Sequence, residues 1–176
     1  MIQLNLRKFL RSFVKSSLSM EDAVQIINHL RHAHEVAKRA LESGHHPFGS
    51  ILVGSDNQTI LMEQGNIDTV NHAESTLARN AYAKYSPEFL WTTTLYTTFE
   101  PCAMCAATLY WANIGRIVFG ATEKRLLELT GNHQKNPTLD IPCRYIFEHG
   151  QKDIKVLGPF AELEEELVEI HRHFWK

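Results

Sequence analysis

The apolar positions of the chain switch between a helical period and a period of two. In residues 1–18, Ile2, Leu6, Phe9, Leu10 and Phe13 fall at helical spacing with basic residues between them. This predicts an amphipathic N-terminal helix packed on the body of the protein or on a second subunit. Ser19-Met20-Glu21-Asp22 resembles a capping box and opens a second helix, with Ala23, Ile26, Ile27, Leu30, Ala33, Ala37, Ala40 and Leu41 on its apolar stripe. Gly44 stands where such a helix stops. Ser50-Ile51-Leu52-Val53 then reads as a strand and Gly54-Ser55-Asp56-Asn57 as a turn. Thr59 to Gln64 is the returning arm of a hairpin.

Helical spacing returns at His72, with Leu77, Ala78 and Ala81 on the apolar face, Asn71 or Thr69 as the cap, and Ser86-Pro87 as the stop. Thr93 to Thr98 is β-branched and aromatic, hence a strand. Pro101 suits the start of the next helix, carrying Ala103, Ala106, Ala107, Leu109, Tyr110 and Trp111. Arg116 to Gly120 is the next strand, and strand, helix, strand with a short return is a right-handed crossover between parallel neighbours. Residues 121–152 show one helical turn at Leu126-Leu127-Glu128-Leu129 and otherwise read as a loop rich in Gly, Asn and Pro. Ile154 to Leu157 is a last short strand. Gly158-Pro159 opens a terminal helix with Glu162, Glu164, Glu165 and Glu166 early and His171, Arg172 and Lys176 late, the order that suits the helix dipole. The pattern predicts a three-layer α/β domain over 19–176, preceded by the 1–18 extension.

Composition narrows the function class. At 176 residues, 44% hydrophobic and 22% charged, this is one soluble globular domain, and no apolar run reaches the length of a membrane span. The net charge of −2 is uneven. Residues 1–20 carry +4 (Arg7, Lys8, Arg11, Lys15), leaving 14 basic against 20 acidic residues, or −6, in the remainder. A body that acidic favours a small substrate over a polynucleotide. Cys102, Cys105 and Cys143 are an odd set with two at metal spacing, which points to a reducing, cytoplasmic setting and not to a disulfide framework.

The chemistry concentrates in His72-Ala73-Glu74 and in Pro101-Cys102-Ala103-Met104-Cys105. If each opens a helix and the two starts face each other, one imidazole and two thiolates converge. Three N/S ligands suit Zn²⁺ and leave its fourth position to water, the mark of a catalytic site. Glu74 is then close enough to hydrogen-bond that water without binding the metal. His-x-Glu followed by Pro-Cys-x-x-Cys marks zinc deaminases acting on nucleobases. In that chemistry zinc-bound hydroxide attacks the amino-bearing ring carbon, and Glu74 carries the proton to the ring nitrogen and the leaving amine. Backbone N–H groups near Ala73 and Cys102 are placed to hold the migrating oxygen. A different class of answer is a non-catalytic zinc module in which Cys143 or His133 supplies a fourth ligand. Such a site has no use for Glu74.

These segments, with Pro47-Phe48-Gly49, Gly65-Asn66, Glu100 and the strand ending at Gly120, resemble the cytidine-deaminase-like superfamily, in particular its branch of bacterial guanine deaminases and tRNA adenosine deaminases. The resemblance implies an α/β/α fold with a central five-stranded mixed sheet, a homodimer, one zinc per chain and hydrolytic deamination. Within the branch the chain is similar to guanine deaminases. Phe48 falls where those enzymes set an aromatic ring on the purine, Asn66 matches a base- or ribose-contacting asparagine, and Trp111 matches a pocket tryptophan. Those enzymes also place an acid after the fourth strand, for which Asp140 is the nearest residue. They close the pocket with an aromatic C-terminal segment swapped between subunits, where Phe174 and Trp175 stand here. Guanine is thus the expected substrate. Adenosine in a tRNA loop is the alternative and would need basic residues at the site mouth, where only Arg116, Lys124 and Arg125 lie near the motif. Cytosine, cytidine or a triazine ring would use the same chemistry.

Overall fold

Ser19 closes the first helix, α1 (Met20–Glu42), through a full capping box: its Oγ accepts from the Asp22 N–H at 3.1 Å, and Asp22 Oδ2 accepts from the Ser19 N–H at 3.2 Å. Gly44 follows with φ +83°, the left-handed conformation a helix stop requires. The structure, a computed structural model, describes residues 19–131, 133, 134 and 136–175, so the 1–18 extension lies outside the described residues.

Strands β1 (Gly49–Val53) and β2 (Ile60–Gly65) form the expected antiparallel hairpin, with Ser50 opposite Gln64. Helix α2 (Ala73–Lys84) and a short α3 (Pro87–Trp91) lead to β3 (Thr94–Phe99). Helix α4 (Ala103–Trp111) then crosses over to β4 (Arg116–Ala121). After α5 (Glu123–Thr130) and α6 (Cys143–Glu148) come β5 (Lys155–Leu157), α7 (Ala161–Val168) and a 3₁₀ turn at Glu169–His171. The sheet order is β2-β1-β3-β4-β5. β1 is antiparallel to both neighbours, while β3, β4 and β5 run parallel. This is the mixed five-stranded sheet.

Strand alternation builds the layers. Leu52, Leu95, Ile117 and Phe119 face α2, α3, α4 and α6, packing on Leu77, Leu90, Leu109 and Phe147. Ile51, Val53, Tyr96 and Val118 face the other way, onto Ile26, Leu30 and Val36 of α1 and Leu163 and Leu167 of α7. Successive side chains point to opposite faces and both faces are covered, so β1 and β3 are buried along their whole length, the polar Ser50 and Thr97 included. β1 lies so close to α1 that a Cβ on Gly49 would sit 2.3 Å from the Ala33 carbonyl oxygen. That approach seats the neighbouring Pro47-Phe48 segment.

Three local expectations change. Neither Asn71 nor Thr69 caps α2: His72 is itself the N-cap residue, without a side-chain cap hydrogen bond. Asp68 instead shapes the preceding turn, its carboxylate accepting from the Val70 and Asn71 N–H groups at 2.8 and 2.7 Å. Ser86-Pro87 does not only stop a helix; Ser86 Oγ accepts from the Phe89 N–H, and Pro87 takes the first position of α3. Finally, 121–152 is more ordered than a loop. Thr122 caps α5 through its hydroxyl, and α6 follows Pro142.

Candidate active site

Parallel strands deliver their loops to one end of the sheet, and the site is built there. His72 and Cys102 are the N-cap residues of α2 and α4, and Cys105 lies in the first turn of α4. The pairing of Phe99 with Ala121, and the Glu100 N–H bond to the Ala121 carbonyl, hold the Cys102 loop against the start of α5.

His72 Nδ1 is 3.6 Å from Cys102 Sγ and 3.5 Å from Cys105 Sγ. All three donor atoms lie within 4.8 Å of one another. Zinc–sulfur bonds of about 2.3 Å and zinc–nitrogen bonds of about 2.0 Å at a tetrahedral angle require N···S separations of about 3.5 Å. The donor set therefore fits zinc in both chemistry and spacing. The protons agree. A hydrogen bond with Cys105 and another with His72 pull the Cys102 thiol well below its usual range, while the same bond to Cys102, together with burial, pushes Cys105 up. Contact with Cys102 raises His72. Three donors competing for protons are a set that a divalent cation satisfies. The helix starts help: the Cys105 N–H donates to Cys102 and the Ser75 N–H to Cys105. The imidazole also hydrogen-bonds the Thr69 backbone, which orients the ring. Neither Cys143 nor His133 joins the cluster, and among the described residues no fourth side chain closes it.

Glu74 is 5% exposed, and burial raises its carboxyl above the usual range. Its Oε1 accepts from Thr97 Oγ1 at 3.0 Å. Ala73 is wholly buried as the first residue of α2, with its amide at the helix end that carries the cluster.

The other expected residues divide. Phe48 and Asn66 are brought together, the Asn66 N–H donating to the Phe48 carbonyl at 3.0 Å. Asn66 is buried; its Nδ2 donates to the Asp68 carbonyl, and its Oδ1 has no partner among the described residues. Trp175 and Phe174 fold back onto His46, with ring centroids 5.0 and 5.5 Å away, and Phe48 lies 6.3 Å from Trp175 and 5.8 Å from Phe99. Phe99 precedes Cys102 by three residues, which joins this aromatic wall to the metal loop. His171 completes the wall in neutral form: Trp175 Nε1 donates to its Nδ1, and burial drops its pKa to about 3. Trp111 is not part of this group. It ends α4, about 13 Å along the axis from Cys102, and is 75% exposed. Asp140 sits exposed in the segment before α6.

Three further residues take roles at the site that the sequence pattern does not assign. Thr97, on the β3 face that also carries Leu95, anchors Glu74; strand alternation was its only signal. Glu123, 6% exposed in the first turn of α5, is pushed up to about 9 by burial and by the negative charges of Cys102, Glu74, Glu100 and Asp140. Glu100 is buried, and its two carboxylate oxygens accept from the first amides of two helices, Cys143 N–H at 2.9 Å and Glu123 N–H at 3.2 Å. Glu100→Ala would orphan both amides at buried helix starts. Each such group costs about 1–3 kcal/mol, so urea unfolding should show a loss of roughly 2–4 kcal/mol. Wild-type stability in that variant would contradict this role.

The family model of the cytidine and deoxycytidylate deaminase zinc-binding region matches residues 24–121. A probable cytosine deaminase of Schizosaccharomyces pombe is 36% identical over 161 residues, covering 89% of this chain and 96% of that protein. A tRNA-specific adenosine deaminase of Haemophilus influenzae is 37% identical over 130 residues, covering 68% of this chain and 75% of that one. Among solved structures, the guanine deaminase from Nitrosomonas europaea superposes with a TM-score of 0.64 at 17% identity, over 83% of this chain and 82% of that one, a likeness of fold.

Proposed function

Because the chain belongs to the cytidine and deoxycytidylate deaminase family defined by that zinc-binding region, we propose that this zinc-dependent hydrolytic deaminase acts on a free nucleobase, guanine first. The observation that carries the ring preference is the aromatic wall. Phe48, His171, Phe174 and Trp175 gather within a single chain, with Phe48 and His171 against Phe99 three residues before Cys102, and ring contacts at these spacings suit a flat aromatic ligand. The buried, unpartnered Oδ1 of Asn66 supplies an acceptor for a ring N–H or amino group.

His72, Cys102 and Cys105 hold the metal, which when bound supplies Lewis acidity and brings the pKa of water toward neutrality. Glu74 does the proton work. Its carboxylate takes a proton from the attacking water, gives it to the ring nitrogen beside the amino-bearing carbon, and passes a second to the departing amine. Water and an amino-heterocycle become an oxo-heterocycle and ammonia. Attack and expulsion occur on one face, so a single carboxylate serves both transfers. A homodimer belongs to this proposal, with the exposed Trp111 at the end of α4 as a residue it covers.

A second reading, cytosine, is favoured by the Schizosaccharomyces pombe relative, which is matched over nearly its whole length. Ammonia release from guanine, cytosine, cytidine and an adenosine-bearing anticodon hairpin separates the cases. Guanine turned over with the highest kcat/KM is expected. Cytosine in that place would transfer the assignment to the second reading. Activity confined to the hairpin, with salt-sensitive RNA retention, would overturn the free-base proposal.

A further inference from the structure

We propose that Thr97, backed by Ser50, is a positioning residue for Glu74: its hydroxyl ties one carboxyl oxygen to the sheet and leaves the other turned to the His72–Cys102–Cys105 cluster. The catalytic consequence rests on the deaminase mechanism above; the positioning itself does not.

Thr97 lies in the middle of β3 and is wholly buried. Its Oγ1 is 3.0 Å from Glu74 Oε1 and 3.4 Å from the Gly49 carbonyl oxygen. A hydroxyl has one hydrogen, and the closer, more strongly charged acceptor takes it. Threonine is branched at Cβ and stiff at χ1, so the donor stands at a fixed height above the sheet. Glutamate is the flexible partner. Without an anchor its carboxyl can swing away from the cluster at the mouth of α2, and a proton carrier displaced in that way no longer lines up with the reacting atoms. Tethering Oε1 assigns the carrying role to Oε2.

Ser50 on β1 is the cross-strand partner of Thr97. Directly opposed residues share a face with Cβ atoms about 5 Å apart, so the serine hydroxyl lies beside the same carboxyl floor. Ser50 is wholly buried, and its Oγ has no partner among the described residues. A buried hydroxyl left unpaired is unfavourable, and this one lies across the strand pair from the residue that holds the carboxylate. Ser50 is the reserve donor, able to reach the anchored oxygen by rotation about χ1 when Thr97 is lost.

The test uses the zinc-loaded full chain. Thr97→Val keeps the shape and removes the O–H; Thr97→Ser keeps the O–H. In Thr97→Val, kcat is expected to fall roughly 10- to 100-fold, the size of effect of an ångström-scale misplacement. Its KM should stay within about threefold and its zinc content unchanged, because only transition-state alignment is lost. Thr97→Ser should recover kcat to within about threefold of wild type. Ser50→Ala should deepen the Thr97→Val defect. A crystal structure of the zinc-loaded double variant Thr97→Val/Ser50→Ala should show the Glu74 carboxyl rotated away from the sheet. Glu74 unmoved in that structure, or wild-type kcat in Thr97→Val, would overturn the proposal. If the wild-type protein releases ammonia from no base, the functional reading falls, and the crystal structure alone decides the positioning.

Discussion

Glu74→Gln is expected to bind a full complement of zinc and to lose about 10³- to 10⁴-fold of its turnover, the upper range for a general acid–base group. Glutamine occupies the same volume and can still accept from Thr97 Oγ1, so neither the fold nor the metal donors should change. What it cannot do is take up and release a proton. One side chain handles both transfers in this mechanism, and nothing else in the cluster replaces it: His72 and the two cysteines are committed to the metal. Metal analysis beside ammonia-release rates checks the result. A zinc-loaded Glu74→Gln protein with substantial activity would remove Glu74 from the mechanism.

Cys105→Ser is the second large effect. Cys105 is wholly buried in the first turn of α4, and its sulfur bridges by hydrogen bonds to Cys102, to His72 and to the Ser75 N–H at the start of α2. The metal site thus ties the starts of α2 and α4 together. Changes to groups behind a ligand already weaken metal affinity by 10- to 100-fold, so loss of a ligand should weaken zinc binding by at least about 100-fold. Stability follows by mass action. A metal present at about a thousand times its dissociation constant contributes about 4 kcal/mol, and that contribution should vanish in Cys105→Ser and in chelator-treated wild type alike. Competitive chelator titration and thermal unfolding measure the two effects. Wild-type zinc affinity in the variant would place the metal elsewhere.

How much of this was legible in the sequence depends on the range of each interaction. The capping box at Ser19 and Asp22 involves residues three apart and reads directly from the chain. The β3–α4–β4 crossover reads equally well, because its handedness and parallel pairing are general properties of such units. The metal donors were legible because two helix starts concentrate them in two short segments. Trp111 shows the limit of position along a chain: nine residues of helix carry it away from Cys102, whatever its place in a motif. Asp140 stands exposed before α6, and its place in the sequence says nothing of which buried acid faces the site. Thr97, Glu100 and Glu123 owe their roles to contacts across 23 to 43 residues, and nothing local announces them. The aromatic wall is the extreme case. Phe48 and Trp175 meet only because β1 sits tightly on α1 and the segment after α7 turns back over both.

The central claim is hydrolytic deamination at a zinc site made of His72, Cys102 and Cys105, and ammonia release tests it most directly. Protein carrying one zinc per chain, given guanine with cytosine and the anticodon hairpin in parallel, should release ammonia and the oxo product in equal amounts. The activity should disappear on chelation and return with added zinc. Fully zinc-loaded protein that releases ammonia from none of these substrates would contradict the account.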